Sequence, residues 1–211
     1  QVPCVAPISD FMILSIQPAA HVNAGPDDNI CQDGSYLVSG ASADNYSTLL
    51  WTSSGNGTFV DGTTISPTYT PGSADIAAGT VTLTLTAQPK APCTAPQSDS
   101  FILTVNPLAT ANAGADDMVC EGTGLLITDA TATHFSSLNW TTTGTGTFDN
   151  GSTISPTYYP GTEDVTNGSV VLTLTVNSQL PCSGTAVDSK IVTVTPMPVV
   201  SAGPDDVSCG A

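Results

Sequence analysis

Between Thr80 and Thr86 the chain reads TVTLTLT, placing Val81, Leu83 and Leu85 on one side and threonines on the other. Period-two patterning of this kind predicts a strand with one face on a core and one toward solvent. The pattern returns as SVVLTLT from Ser169 to Thr175. Shorter strands are predicted on the same ground. QDGSYLVSGAS turns at Gly34 and then alternates through Tyr36, Val38 and Gly40, while Leu49, Leu50 and Trp51 open another strand after a polar loop. Gly55–Gly57 reads as a hairpin turn into a strand at Thr58–Val60, which a second turn at Asp61-Gly62 closes. ISPTYTP supplies a further strand, and Pro67 places it at a sheet edge. DFMILSIQP, from Asp10 to Pro18, has the composition of one more. Apolar runs this short, separated by Gly, Pro, Ser, Thr and Asn, leave almost no room for helices.

The pattern is also periodic over a much longer distance. WTSSGNGTFVDGTTISPTYTPG at 51–72 recurs as WTTTGTGTFDNGSTISPTYYPG at 140–161, an offset of 140 minus 51, or 89. The cysteines keep that step, since 93 minus 4, 182 minus 93, 120 minus 31 and 209 minus 120 all equal 89. Solenoid units of a few tens of residues cannot bury a face alone, whereas this period is the size of a small β domain. The expected organisation is the last strand of a preceding repeat at 1–20, whole repeats at 21–108 and 109–197, and the first strand of a following repeat at 198–211. Seven or so short strands with one tryptophan on the third describe tandem immunoglobulin-like β-sandwiches in an extended rod.

Charge narrows the function. Lys90 and Lys190 are the only cations against eighteen acids, for a net charge of −16. Nothing in such a chain can replace the counterions of a polyphosphate, so nucleic acid and anionic membrane surfaces are excluded as partners. Membrane insertion by a helix is excluded as well, because runs such as Phe11–Ile16 fall far short of the roughly 18 apolar residues a span requires. Six cysteines without metal-type CxxC pairs fit disulfides in an oxidising compartment and hence an exported protein.

ANAGADDMVCEGTG, the WTSSGNGTF-type third strand, TYTPG, VTLTLT and DSFILTVNP together resemble the tandem Ig-like, PKD-related repeats of giant Bacteroidetes cell-surface proteins. Within that family the chain is most similar to filamentous gliding-motility adhesins of flavobacteria, exported by type IX secretion. The resemblance implies an extracellular, surface-attached filament whose partners are neighbouring repeats of the same chain and, at its end, an external surface or polysaccharide. PKD domains usually carry WDFGDG, but here TSSGNG follows Trp51 and TTTGTG follows Trp140, so whatever rests on that motif does not transfer.

Chemistry-bearing residues are few. Trp51 and Trp140, once per repeat on a central strand, are expected as core plugs. His21 and His134 have no histidine partner at the repeat offset, and no GxSxG elbow is present, so the chain is read as a non-enzyme. Asp27, Asp28, Asp116 and Asp117 lie beside the expected junctions, where Asp99 or Asp188 can approach, and are the candidate calcium ligands; a solvated bend is the competing reading. No other cofactor is expected. The alternative function is a carbohydrate- or surface-binding module, whose signature would be exposed aromatics at Tyr69 and Tyr158, with Tyr159 beside one of them. A further alternative has Phe11–Gln17 adding to another chain's sheet.

The cysteines admit several pairings. One of each pair precedes the turn into an early strand (Cys31, Cys120, Cys209), and the other occupies the loop before the last strand (Cys4, Cys93, Cys182). In an Ig-like topology these positions fall at opposite ends of a sandwich, too far apart for the roughly 4–7 Å Cα separation of a disulfide. A staple from Cys31 to Cys182 across a junction is therefore expected, with Cys4, Cys93, Cys120 and Cys209 pairing outside the segment. Cys31 with Cys93 competes with it, as does the set Cys4 with Cys31, Cys93 with Cys120 and Cys182 with Cys209.

Overall fold

The computed structural model describes residues 8–205 and residue 209. Cys4 and the end of the expected following strand, Cys209 apart, therefore lie outside the described residues. The chain is all-β and divides into two units, one of residues 1–30 and 34–105, the other of residues 31–33 and 106–211.

The first repeat runs β1 (His21–Asn23), β2 (Asp28–Cys31), β3 (Tyr36–Leu37), β4 (Ser42–Asp44), β5 (Tyr46–Ser53), β6 (Thr58–Val60), β7 (Thr68–Thr70), α1 (Ser73–Ala78), β8 (Thr80–Pro89) and β9 (Gln97–Asn106). Its strands form a four-stranded sheet in the order β2-β9-β8-β5, a three-stranded sheet β3-β7-β6 and the pair β1-β4. The second repeat follows element for element as β10 (Thr110–Asn112), β11 (Asp117–Cys120), β12 (Leu125–Leu126), β13 (Thr131–Thr133), β14 (Phe135–Thr142), β15 (Thr147–Asp149), β16 (Thr157–Tyr159), α2 (Thr162–Asn167), β17 (Ser169–Ser178) and β18 (Thr185–Thr195). Here β11 runs parallel to β18, which is antiparallel to β17.

The alternation of β8 turns Val81, Leu83 and Leu85 into the first core, and β17 does the same with Val170, Leu172 and Leu174 in the second. Trp51 and Trp140 are each 3% exposed in these cores. The Trp51 indole N–H donates to the Thr64 carbonyl at 3.1 Å, whereas the buried Trp140 N–H has no partner.

The structure corrects four local expectations. Gly55–Gly57 is not a hairpin: β5 and β6 belong to different sheets, so the segment is a crossing between them. β7 is the central strand of its sheet and not an edge; Pro67 precedes it, where the missing N–H costs nothing and its carbonyl accepts from Val38 at 3.0 Å. Two helices of six residues each interrupt the β pattern, opened by Gly72 and Gly161 and closed by Gly79 and Gly168 at φ near +70°. Finally, the expected strand Asp10–Pro18 is irregular. Its equivalents in β9 and β18 lie between two sheet neighbours, whereas this segment has none, leaving Phe11 and Met12 87% and 85% exposed.

The repeats differ at one matching position of the last strand. Phe101 of β9 packs at 5.8 Å from Tyr36, whose hydroxyl donates to Asp28 at 3.0 Å; burial and that carboxylate push the tyrosine up to about 12. The second repeat puts Lys190 at Phe101's position. Its ammonium is buried and lies 3.1 Å from Asp129 and 3.9 Å from Asp117, which both keep solvent on one side. Asp129 is held below the usual carboxylate range by the Ala115 N–H and then by Lys190. Because both acids are half exposed, they rehydrate readily once the ammonium is gone. Lys190→Met is expected to change stability at pH 7 by no more than about 1 kcal/mol. Asp129's depressed pKa contributes stability above its unfolded value near 4, lost as pH falls; the variant should therefore show a shallower acid limb in urea melts taken from pH 7 to 3.

Candidate functional site at the repeat-spaced cysteines

Each repeat ties its early strand to its last one through carboxylates. Asp27 accepts the Ile102 N–H at 2.7 Å, and Asp116 accepts that of Ile191 at 2.8 Å. Reciprocally, Asp99 accepts the Ala24 N–H at 2.8 Å and Asp188 that of Ala113 at 2.7 Å. Asp28 serves the Asn29 N–H and Tyr36, and Asp117 the Met118 N–H and Lys190. The four candidate calcium ligands thus face backbone amides, a tyrosine and a lysine. Among the described residues no three His, Cys, Asp or Glu side chains gather closely enough to hold a metal ion.

Cys31, at the end of β2, and Cys182, in the loop before β18, form a disulfide with a Cα–Cα distance of 4.8 Å across 151 residues of sequence. Both cysteines are buried. One backbone carbonyl organises the surroundings of the bond: Asn106 O, at the end of β9, accepts the N–H of Gln32 at 2.9 Å and lies 3.3 Å from the Cys182 sulfur. The amide of Cys182 is fixed in turn by the Gln179 carbonyl at 3.0 Å. Cys93 and Cys120 remain thiols, the first partly buried and the second exposed.

A second constellation escaped the reading of the sequence. Asp75, 1% exposed, accepts the Tyr69 hydroxyl at 2.7 Å and the backbone N–H groups of Gly72, Gly57 and Asn56 at 2.8, 3.0 and 3.2 Å. Burial alone would raise Asp75, but these donors overcome it and hold the carboxyl below its ordinary range. Tyr69 is correspondingly pushed up to about 12, chiefly by burial. Asp164 repeats the arrangement with Tyr158, Gly161 and Thr145. The only advance signal was that both acids recur at the same offset, 164 minus 75 being 89.

This hub overturns the aromatic signature of a binding surface. Tyr69 and Tyr158 are fully buried, their hydroxyls spent on Asp75 and Asp164, and of the three candidate tyrosines Tyr159 alone offers a ring to solvent. The described residues enclose no pocket. His21 lies exposed at the start of β1, and His134, at φ 54°, turns the chain between β13 and β14.

No protein-family model and no curated protein matches the chain. Similar solved structures include the protocadherin gamma B4 extracellular domain, at 13% identity over 87% of this chain with a TM-score of 0.49. This chain spans 35% of that one. Mouse cadherin-23 EC22-24 is 12% identical over 85% of this chain and 67% of its own, with a TM-score of 0.48. Human protocadherin-24 EC1-2 is 11% identical, covering 84% of this chain and 99% of that one, also at 0.48. At these values the similarity says nothing of what the present chain binds or does.

Proposed function

We propose that the chain is a structural segment of an extracellular filamentous adhesin, acting as a stiff spacer that carries an adhesive end away from a cell surface. The observation that carries this reading is the recurrence, at one fixed offset, of whole cores and of the bonds that close them. A specialised catalytic or binding domain is usually built once; a spacer is built by repetition. The Cys31–Cys182 disulfide supports an oxidising, exported setting, and the net charge of −16 supports solubility at high local concentration. Surface attachment, a role in gliding motility and export by type IX secretion belong to this proposal through the sequence resemblance alone. Calcium, bound beside Asp27, Asp28, Asp116 and Asp117 in a longer array, is its optional cofactor.

Small-angle scattering tests the spacer directly. The maximum dimension of a four-repeat chain is expected to be close to twice that of the two-repeat chain. A dimension growing only as the cube root of mass, as for a collapsed globule, would end the reading.

A further inference from the structure

Resting on the reading of the chain as part of an array, we infer that Cys93 and Cys120 each form a further disulfide of the Cys31–Cys182 kind, Cys93 as its loop half and Cys120 as its strand-end half, each with a different neighbouring repeat. In the bond that is formed, Asn106 O serves as a fulcrum between the N–H that follows the strand cysteine and the sulfur of the loop cysteine. Both half-contacts occur again on the carbonyls one period away. Gln17 O, at 106 minus 89, lies 3.4 Å from the Cys93 sulfur, and Pro18 O lies 4.0 Å from it; the matching distance from Cys182 to Pro107 O is 3.6 Å. The Cys93 amide is held by Lys90 O at 3.1 Å, as Cys182 is held by Gln179 O. Thr195 O, at 106 plus 89, accepts the Glu121 N–H at 2.8 Å, placing Cys120 on its fulcrum as Cys31 sits on its own.

What each thiol lacks is the other half. Cys120 takes the loop cysteine of a following repeat, and Cys93 takes the strand-end cysteine of a preceding one. The array becomes a chain in which every repeat is bonded to the next. Formation consumes a disulfide oxidant, a small-molecule disulfide or an oxidase of that class: one thiolate attacks it to give a mixed disulfide and the second displaces the reduced half. Two cysteine protons are lost, one S–S bond forms, and the oxidant leaves as two thiols.

The test lengthens the chain by one repeat, with a second copy of residues 109–197 inserted after 197. The added copy carries Ser183→Thr, an exposed neighbour of Cys182, as a mass tag. After export into an oxidising compartment, non-reducing peptide mapping is expected to link Cys120 to the tagged loop peptide, and Cys31 to the untagged one. Finding the tagged loop peptide alkylated as a free thiol while the Cys31 link is intact would overturn the inference, as would a bond between Cys93 and Cys120. That Cys31 link is also the folding control. A second chain, with residues 20–108 duplicated instead and the second of the two copies tagged by Thr94→Ser beside Cys93, repeats the test for Cys93 and keeps it decisive if the first variant misfolds; a link between Cys31 and the tagged Cys93 peptide is expected, and a free thiol in the tagged peptide overturns the inference. Scattering on the same samples separates the readings: a bonded but collapsed array ends the spacer, and an extended array with free thiols ends the bond.

Discussion

Replacing Asp75 by alanine is expected to destabilise the first repeat by about 3–5 kcal/mol, an effect as large as removing a core aromatic. The carboxylate takes one hydroxyl and three backbone N–H groups from the crossing between β5 and β6 and the start of α1. Each orphaned donor costs about 1–3 kcal/mol when dry, and partial access of water keeps the total below their sum. Asp75→Asn should recover less than half of the loss, since its amide nitrogen would face donors it cannot satisfy. The pH dependence follows from the lowered carboxyl: its stabilisation is present above the unfolded value near 4 and fades as pH falls below it. Hydrogen exchange, read separately over 20–108 and 109–197, checks this at pH 7. Unchanged protection of the first repeat in Asp75→Ala would show that the hub is dispensable.

The disulfide should contribute on a similar scale by another route. Its two cysteines are 151 residues apart, and closing a loop of that length restricts the unfolded chain by up to about 5 kcal/mol at room temperature when both repeats unfold together. Reduction is therefore expected to lower the urea midpoint of the native chain and to leave that of Cys31→Ser unmoved. Equal sensitivity of both proteins to reductant would mean that Cys31 and Cys182 are not bonded in solution.

How much of this was readable in advance depended on the range over which a residue acts. Strand β8 announced itself because neighbouring side chains alternate within the element, and Trp51 because one large ring per domain has few places to go. Tyr69 misled, since TYT between prolines looks like a polar surface strand; its burial is decided by Asp75, six residues on, in the first turn of a helix too short for any periodicity to reveal. Gly55–Gly57 misled for the same reason. A Cβ at Gly55 would overlap the Asp75 carboxylate and one at Gly57 the Tyr69 hydroxyl, so the glycines make room for the acid and its tyrosine and do not bend a hairpin. Lys190 was invisible as a core residue because its neutralising partners come from β11 and from the loop after β12. The cysteine spacing predicted recurrence and left several pairings open, because connectivity depends on where the last strand ends, at Asn106, and not on spacing alone.

The scarcity of cations has a consequence for wear. A protease that cuts after lysine finds two sites in the sequence, and Lys190 lies in the middle of β18 with its side chain sealed. Lys90 alone is presented, in the loop between β8 and β9. A cut there divides the chain into residues 1–90 and 91–211, yet Cys31 stays on one piece and Cys182 on the other, so the sulfur bridge holds the two together. In such a molecule a nick is not a break until the bridge is also reduced, and a fibre made of it would fail by two independent chemical events instead of one.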